Sequence, residues 1–184
     1  MEQDIDGIAA RSALGIDYRS RMALYDHTIR TTTEDRAMLE RMLDVQRAEL
    51  LHLVDGMSEA NVRQRLVPSL TTLLGLVKHG IFVEKVWFHH RIAGRPRSEV
   101  DIPDDIDESF RLTDSDSIES VSAAFTAACA RSRTVAADHP DLAETISWHK
   151  GDVTLRFIFT HLIQEYARHA GQGDILREQI AATS

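Results

Sequence analysis

The chain has 184 residues, 43% hydrophobic and 27% charged, ordinary proportions for one soluble globular domain with a real core. Its formal net charge of −8 argues against a nucleic-acid backbone as main partner. A single cysteine, Cys129, rules out an intrachain disulfide and a cysteine-rich zinc site, and fits a reducing cytoplasm.

Residues 1–30 have mixed polarity and weak periodicity, and read as an arm with a short helix around Tyr18 to His27. The acidic start has no long apolar core, so no signal peptide is expected, and no apolar run is long enough to cross a bilayer. The folded domain is expected over residues 31–184. Thr31 to Glu34 forms a capping-box pattern. Behind it Met38, Leu39, Met42, Leu43, Val45, Leu50, Leu51 and Val54 recur at three- and four-residue steps, the mark of an amphipathic helix that Gly56 ends. His52, in its last turn, suits the helix dipole and reads as structural.

Ser58 to Arg65 predicts a short helical piece. Ser69 or Thr71 is placed to cap a second long helix running to about Ile92 and stopping at Gly94. His79 lies among its apolar residues, where a hydrogen-bonded core histidine is the simplest reading. Trp87 reads as core, and His89 and His90 as dipole-matched residues near the C-terminal end. Residues 94–116 are acidic and carry Pro96 and Pro103, so continuous helix is excluded. This stretch reads as a solvated loop long enough to cross over between helices that are not hairpin neighbours. Around Asp116 to Glu119 the N-cap pattern returns and starts a third helix, to about Ala137, rich in small residues. Cys129 sits there between alanines and reads as buried and inert. His139-Pro140 breaks the chain, and the segment to Asp152 is either loosely paired strand or loop.

Thr154 then caps the helix around which the rest is organised, expected to reach Ala181 with Gly171 and Gly173 as a weak point. Leu155, Phe157, Ile158, Phe159, Leu162, Ile163 and Tyr166 make it apolar over most of its surface, so it is expected to be central and buried. Within it His161, Glu165 and His169 follow at four-residue steps, which returns each to nearly the same face. Glu165 and His169 can therefore share one small cation, although the same spacing also serves an exposed ion pair. Buried ionisable groups are costly unless paired or coordinated, and a metal would relieve that cost.

The stretch LTTLLGLVKHGIFVEKVWF around His79 and the stretch LRFIFTHLIQEYARHAGQGDILRE around Glu165 and His169 resemble the DinB/YfiT-like metalloenzyme superfamily, over roughly residues 35–181. Many relatives end their metal motif as His-x-x-x-His before a Gly-Gln run. His169-Ala170-Gly171-Gln172 matches that ending, while Glu165 stands where those relatives place a histidine. The mycothiol-dependent maleylpyruvate isomerases of the same superfamily are similar in using two histidines and one glutamate. The resemblance implies an all-α four-helix bundle with a long crossover loop, His79, Glu165 and His169 as metal ligands, and a homodimer. His161 falls outside that triad and is the candidate catalytic residue. Arg168, flanked by the motif, is the candidate for binding a thiol cofactor, ahead of Arg156 and Arg177. Glu84 and Tyr166 are weaker candidates for supporting the site.

Two imidazoles and a carboxylate leave a divalent cation with open positions. Zinc leads on ligand type, with nickel, iron and manganese also compatible. The family implies mycothiol or bacillithiol as the small thiol, activated beside the cation and used against an electrophilic substrate in transfer or isomerisation; activated water would give a hydrolase. The isomerases' additional C-terminal domain is absent from this sequence, which points away from isomerisation specifically. The alternative expectation is a non-catalytic, stress-associated metal-binding bundle.

Overall fold

The computed structural model describes residues 29, 31, 33–148 and 150–183. The expected helix around Tyr18 to His27 lies outside these residues. The elements are helix α1 (Asp35–His52), short helix α2 (Glu59–Val62) and helix α3 (Leu73–Glu84), which passes directly into a π-helical segment (Lys85–Ile92). A short helix α4 (Arg97–Val100), a 3-10 turn (Asp107–Phe110) and helix α5 (Ile118–Ala137) follow. Two-residue strands β1 (Thr145–Ile146) and β2 (Val153–Thr154) pair antiparallel, Thr145 against Thr154, and lead into the 29-residue helix α6 (Leu155–Thr183). The expected all-α class holds, with this ladder as the one β feature among the described residues.

The core lies where four long helical stretches meet. Helix α1 packs mainly on α6, and α5 on α3 with its π-helical extension; α3 also touches α1 and α6. Leu43, Leu50, Leu74, Leu76, Phe125, Ile158, Leu162 and Tyr166 are fully buried between them. Helices α5 and α6 supply residues mostly at three- and four-residue steps, as the amphipathic pattern requires, whereas α3 is buried over most of its surface.

The expected caps move by one to three residues. Glu34, not Thr31, precedes the first turn of α1, and no side chain caps it. Thr72, not Ser69 or Thr71, accepts the Gly75 amide at the start of α3. Ser117, not Asp116, begins α5 and shares a reciprocal capping box with Ser120. In each case neighbouring polar residues could all cap, and packing decides which one stays extended at the helix edge.

Helix α6 differs from expectation in its surface. It is amphipathic rather than apolar all round: Arg156, Phe157, Thr160, Gln164, Ala167 and Arg168 are exposed while Leu155, Ile158, Phe159, Leu162 and Tyr166 are buried. Thr154 does cap it, accepting the Phe157 amide. Gly171 and Gly173 do not weaken it; the helix runs through both. Their environments are opposite. A Cβ on Gly173 would stand 2.4 Å from Leu53 Cδ1, whereas one on Gly171 would meet open space. Gly173→Ala is therefore expected to destabilise the fold by about 1–3 kcal/mol through overpacking. Gly171→Ala is expected to stabilise it by about 0.4–1 kcal/mol by restricting the unfolded chain. Urea unfolding of the two variants checks both signs.

The acidic connection is not a plain solvated loop. Val100, Ile102 and Ser109 are buried, and the Phe110 carbonyl lies so close to Gly75 that an added Cβ would come within 2.9 Å of it. The 3-10 turn is thereby pressed against the first turns of α3, one turn below His79.

Candidate metal centre

Helix α3 supplies His79, and α6 supplies Glu165 and His169 one turn apart. Packing of the two helices brings one ligand atom from each residue to within 4.8 Å of the others. His169 Nε2 lies 3.2 Å from Glu165 Oε1, and His79 Nε2 lies 3.8 Å from the same oxygen. The two imidazoles meet edge to face, with ring centroids 5.0 Å apart. His79 and His169 are buried and Glu165 is partly so.

The outer ring nitrogens are already engaged. The Ser109 hydroxyl donates to the Ile106 carbonyl, so it accepts from His79 Nδ1–H at 2.7 Å. His169 Nδ1 stands 2.9 Å from Gln172 Oε1, an acceptor. Both contacts fix the tautomer that leaves the Nε2 lone pair facing inward. Two lone pairs and a carboxylate oxygen then face one another in a mostly buried site. Such a set repels itself unless a proton or a cation lies between its members. Burial lowers the His79 pKa despite the neighbouring carboxylate, which disfavours the proton there. With a proton between the members instead, His169 and then His79 donate to Glu165 and hold its carboxyl far below the usual carboxylate range, so Glu165 is ionised. The donor set thus fits a divalent cation in charge, type and spacing.

Phe110 covers the site. Its ring stacks on His79 at 4.0 Å and 9° and meets His169 edge-on at 5.9 Å. Sequence reasoning missed Ser109 and Phe110, although Phe110 is the one aromatic residue in the acidic stretch 94–116. Gln172 was visible in the Gly-Gln run but had no role until the His169 contact gave it one. Because the Ser109 hydroxyl orients His79 without touching the ligand position, Ser109→Ala is expected to weaken zinc binding about 10–100-fold. Competition with a chromogenic chelator, on protein shown by circular dichroism to be folded, measures it.

A cleft of about 420 Å³ opens beside the triad, reached by His79 and Glu165 and lined by Trp87, Arg91, Trp148 and His161 among others. His161 stands away from the ligand cluster. Its ring stacks on Phe157 at 5.6 Å and meets Trp87 at 5.1 Å, and burial lowers its pKa. Trp87 is buried as expected, yet its ring forms part of this cleft wall.

Arg168 is exposed and pairs with the outer Glu165 oxygen at 3.3 Å. Arg156 pairs with Asp35, and Arg177 donates to the His52 and Leu53 carbonyls at the end of α1; both serve the helix pairing. Glu84 and Tyr166 point elsewhere: the Tyr166 hydroxyl donates to Glu84, which is clasped by Arg47 in the core. Burial pushes the Cys129 thiol well above its ordinary range, so it is inert at neutral pH.

No helix among the described residues is long and apolar enough to cross a membrane. None of the curated proteins matches the chain. The family described as mycothiol-S-transferase matches residues 38–182, which takes in all but the first three residues of α1 and all but the last residue of α6 and includes every residue of the triad. With most of its length matched and its helices arranged as above, the chain belongs to the mycothiol-S-transferase family of the DinB/YfiT-like superfamily.

Proposed function

We propose that this protein is a cytoplasmic, divalent-metal-dependent S-transferase that joins the thiol of mycothiol to an electrophilic small molecule, on a four-helix bundle of DinB type. The observation that carries the reading is the convergence of His79 Nε2, His169 Nε2 and Glu165 Oε1. These three residues would hold the cation, with zinc first by ligand type. When bound, the cation supplies a Lewis acid that lowers the pKa of a thiol toward neutrality.

The chain's own residues do the rest. Ser109 and Gln172 hold the imidazoles in register. Phe110 excludes water from one side of the cluster. Glu165 stays ionised and balances part of the cationic charge. His161 is neutral at pH 7 and lines the same cleft, where it takes the S–H proton as sulfur bonds to the electrophilic carbon and that carbon's bond to its leaving group breaks, the bonding pair departing with the group. Arg168 holds the outer oxygen of Glu165 from the exposed side, and its free guanidinium face would meet the thiol's polar groups. The open cleft beside the triad favours catalysis over metal storage, since storage needs no substrate space.

The test is conjugation of mycothiol to a fluorogenic electrophile, run on zinc-loaded, chelator-stripped and re-loaded protein. Activity is expected to vanish on stripping and return on re-loading, with about one metal per chain as a single three-ligand site requires. Conjugation indifferent to stripping would remove the metal from the reaction. A protein that takes up no zinc, nickel or manganese would remove the site itself.

A further inference from the structure

The cleft beside the triad has a second chemical character. Arg91 lies in its wall, with its guanidinium carbon 4.4 Å from the Trp87 ring centre and 5.2 Å from that of Trp148. The two indoles stand 5.7 Å apart, tilted to each other, and the guanidinium lies against both. No carboxylate pairs with Arg91 among the described residues, and its Nη1 is shut away from solvent with no hydrogen-bond acceptor. Burial, and then the nearby Arg97, lower its pKa, the mark of a cation short of counter-charge. The rest of the lining does not supply that charge. Arg97 and Lys150 add positive charge; Asp104 is paired with Arg97, and Glu165 is engaged by His169 and Arg168. A positive cleft has therefore been built into a chain of formal charge −8.

The walls narrow the class of anion. Trp87 and Trp148 offer flat apolar faces, and the parallel Phe157 and His161 rings add another nearby. A guanidinium is a planar fork that matches a carboxylate with two parallel hydrogen bonds. We infer that the cleft seats an aromatic carboxylate, its ring against the Trp87 and Trp148 indoles and its carboxylate on Arg91. This deepens the transferase reading by naming the class of electrophilic substrate, and rests on that reading for its catalytic meaning; the binding itself does not.

The chain carries its own reporter, because Trp87 and Trp148 are its two tryptophans. Tryptophan fluorescence of metal-stripped protein is titrated with benzoate and with its neutral isostere benzamide, in wild type and Arg91→Met. Benzoate is expected to bind about tenfold or more tighter than benzamide, a typical margin for a charge-assisted hydrogen-bond pair, and Arg91→Met to erase the difference. Equal binding of acid and amide, or a preference unchanged in Arg91→Met, overturns the inference. So does a preference that appears only when zinc is present, because the carboxylate would then be on the cation. If wild type takes up no metal yet keeps the preference, the anion subsite stands and the transferase reading falls. Should Arg91→Met not fold, Arg91→Lys decides: losing the planar fork must weaken benzoate and leave benzamide unchanged, and an unchanged benzoate affinity overturns the proposal.

Discussion

Alanine at both His79 and His169 is expected to leave a folded protein that binds no metal. The double variant removes both neutral nitrogen donors and leaves Glu165 as a lone carboxylate, too few ligands to hold zinc. Elemental analysis of untagged protein would then fall from about one metal per chain to background. Stability gives a second readout. A ligand present at 100 times its Kd and bound only by the folded state stabilises that state by about 2.7 kcal/mol. Wild type is therefore expected to gain that much in thermal unfolding with zinc, and the double variant nothing. A zinc-dependent shift that survives in the variant would place the cation elsewhere.

Arg47→Met is expected to have the largest effect on the fold itself. Glu84 is wholly buried, and Arg47 grips it with two hydrogen bonds of 2.8 Å while the Tyr166 hydroxyl donates a third of 2.9 Å. Arg47 is itself buried and reaches Asp44 at 2.8 Å with its remaining terminal nitrogen. Removing one partner of a buried pair strands the other charge in a low-dielectric core, which costs about 3–5 kcal/mol. Replacing both, as Arg47→Met with Glu84→Leu, removes that uncompensated charge and is expected to recover most of the loss. Denaturant unfolding of the single and double variants measures the coupling. A single variant within about 1 kcal/mol of wild type, the range of an exposed pair, would mean that the network is solvated.

These two sites were unequally legible in the sequence. Glu165 and His169 declare themselves, because a four-residue step on a helix is a statement about a shared face. His79 does not, since the pattern around it says only that the residue is buried; its partner is named by how α3 and α6 pack. Arg47 is harder still. On α1 it looks like any other charged residue, and its acid lies 37 positions away. Ser109 and Phe110 were hidden by Pro96, Pro103 and the run of aspartates, which correctly excluded continuous helix but said nothing of a turn folding back onto α3. The cap errors have a more local cause. Thr71 and Thr72 offer nearly equal capping chemistry and packing selects Thr72, while at α1 the position falls to Glu34, whose side chain makes no cap. The helix spans were clear because apolar periodicity sums over many residues, whereas a cap rests on one.

The π-helical segment carries a consequence for how such a site can change over time. At its end the Ala93 amide reaches back five residues to the Phe88 carbonyl, one residue more than an α-turn encloses. The segment begins immediately after Glu84, so the half of the helix carrying His79 and Glu84 keeps ordinary α-register. The half carrying Trp87 and Arg91 has its own. A π-turn is what a helix acquires when a single residue is inserted and the flanking contacts refuse to rotate. One added codon can thus have re-aimed the substrate-facing wall while the ligand histidine and the buried acid stayed where they were. The same joint lets later substitutions at 85–92 alter what the cleft accepts without disturbing what the upstream half holds.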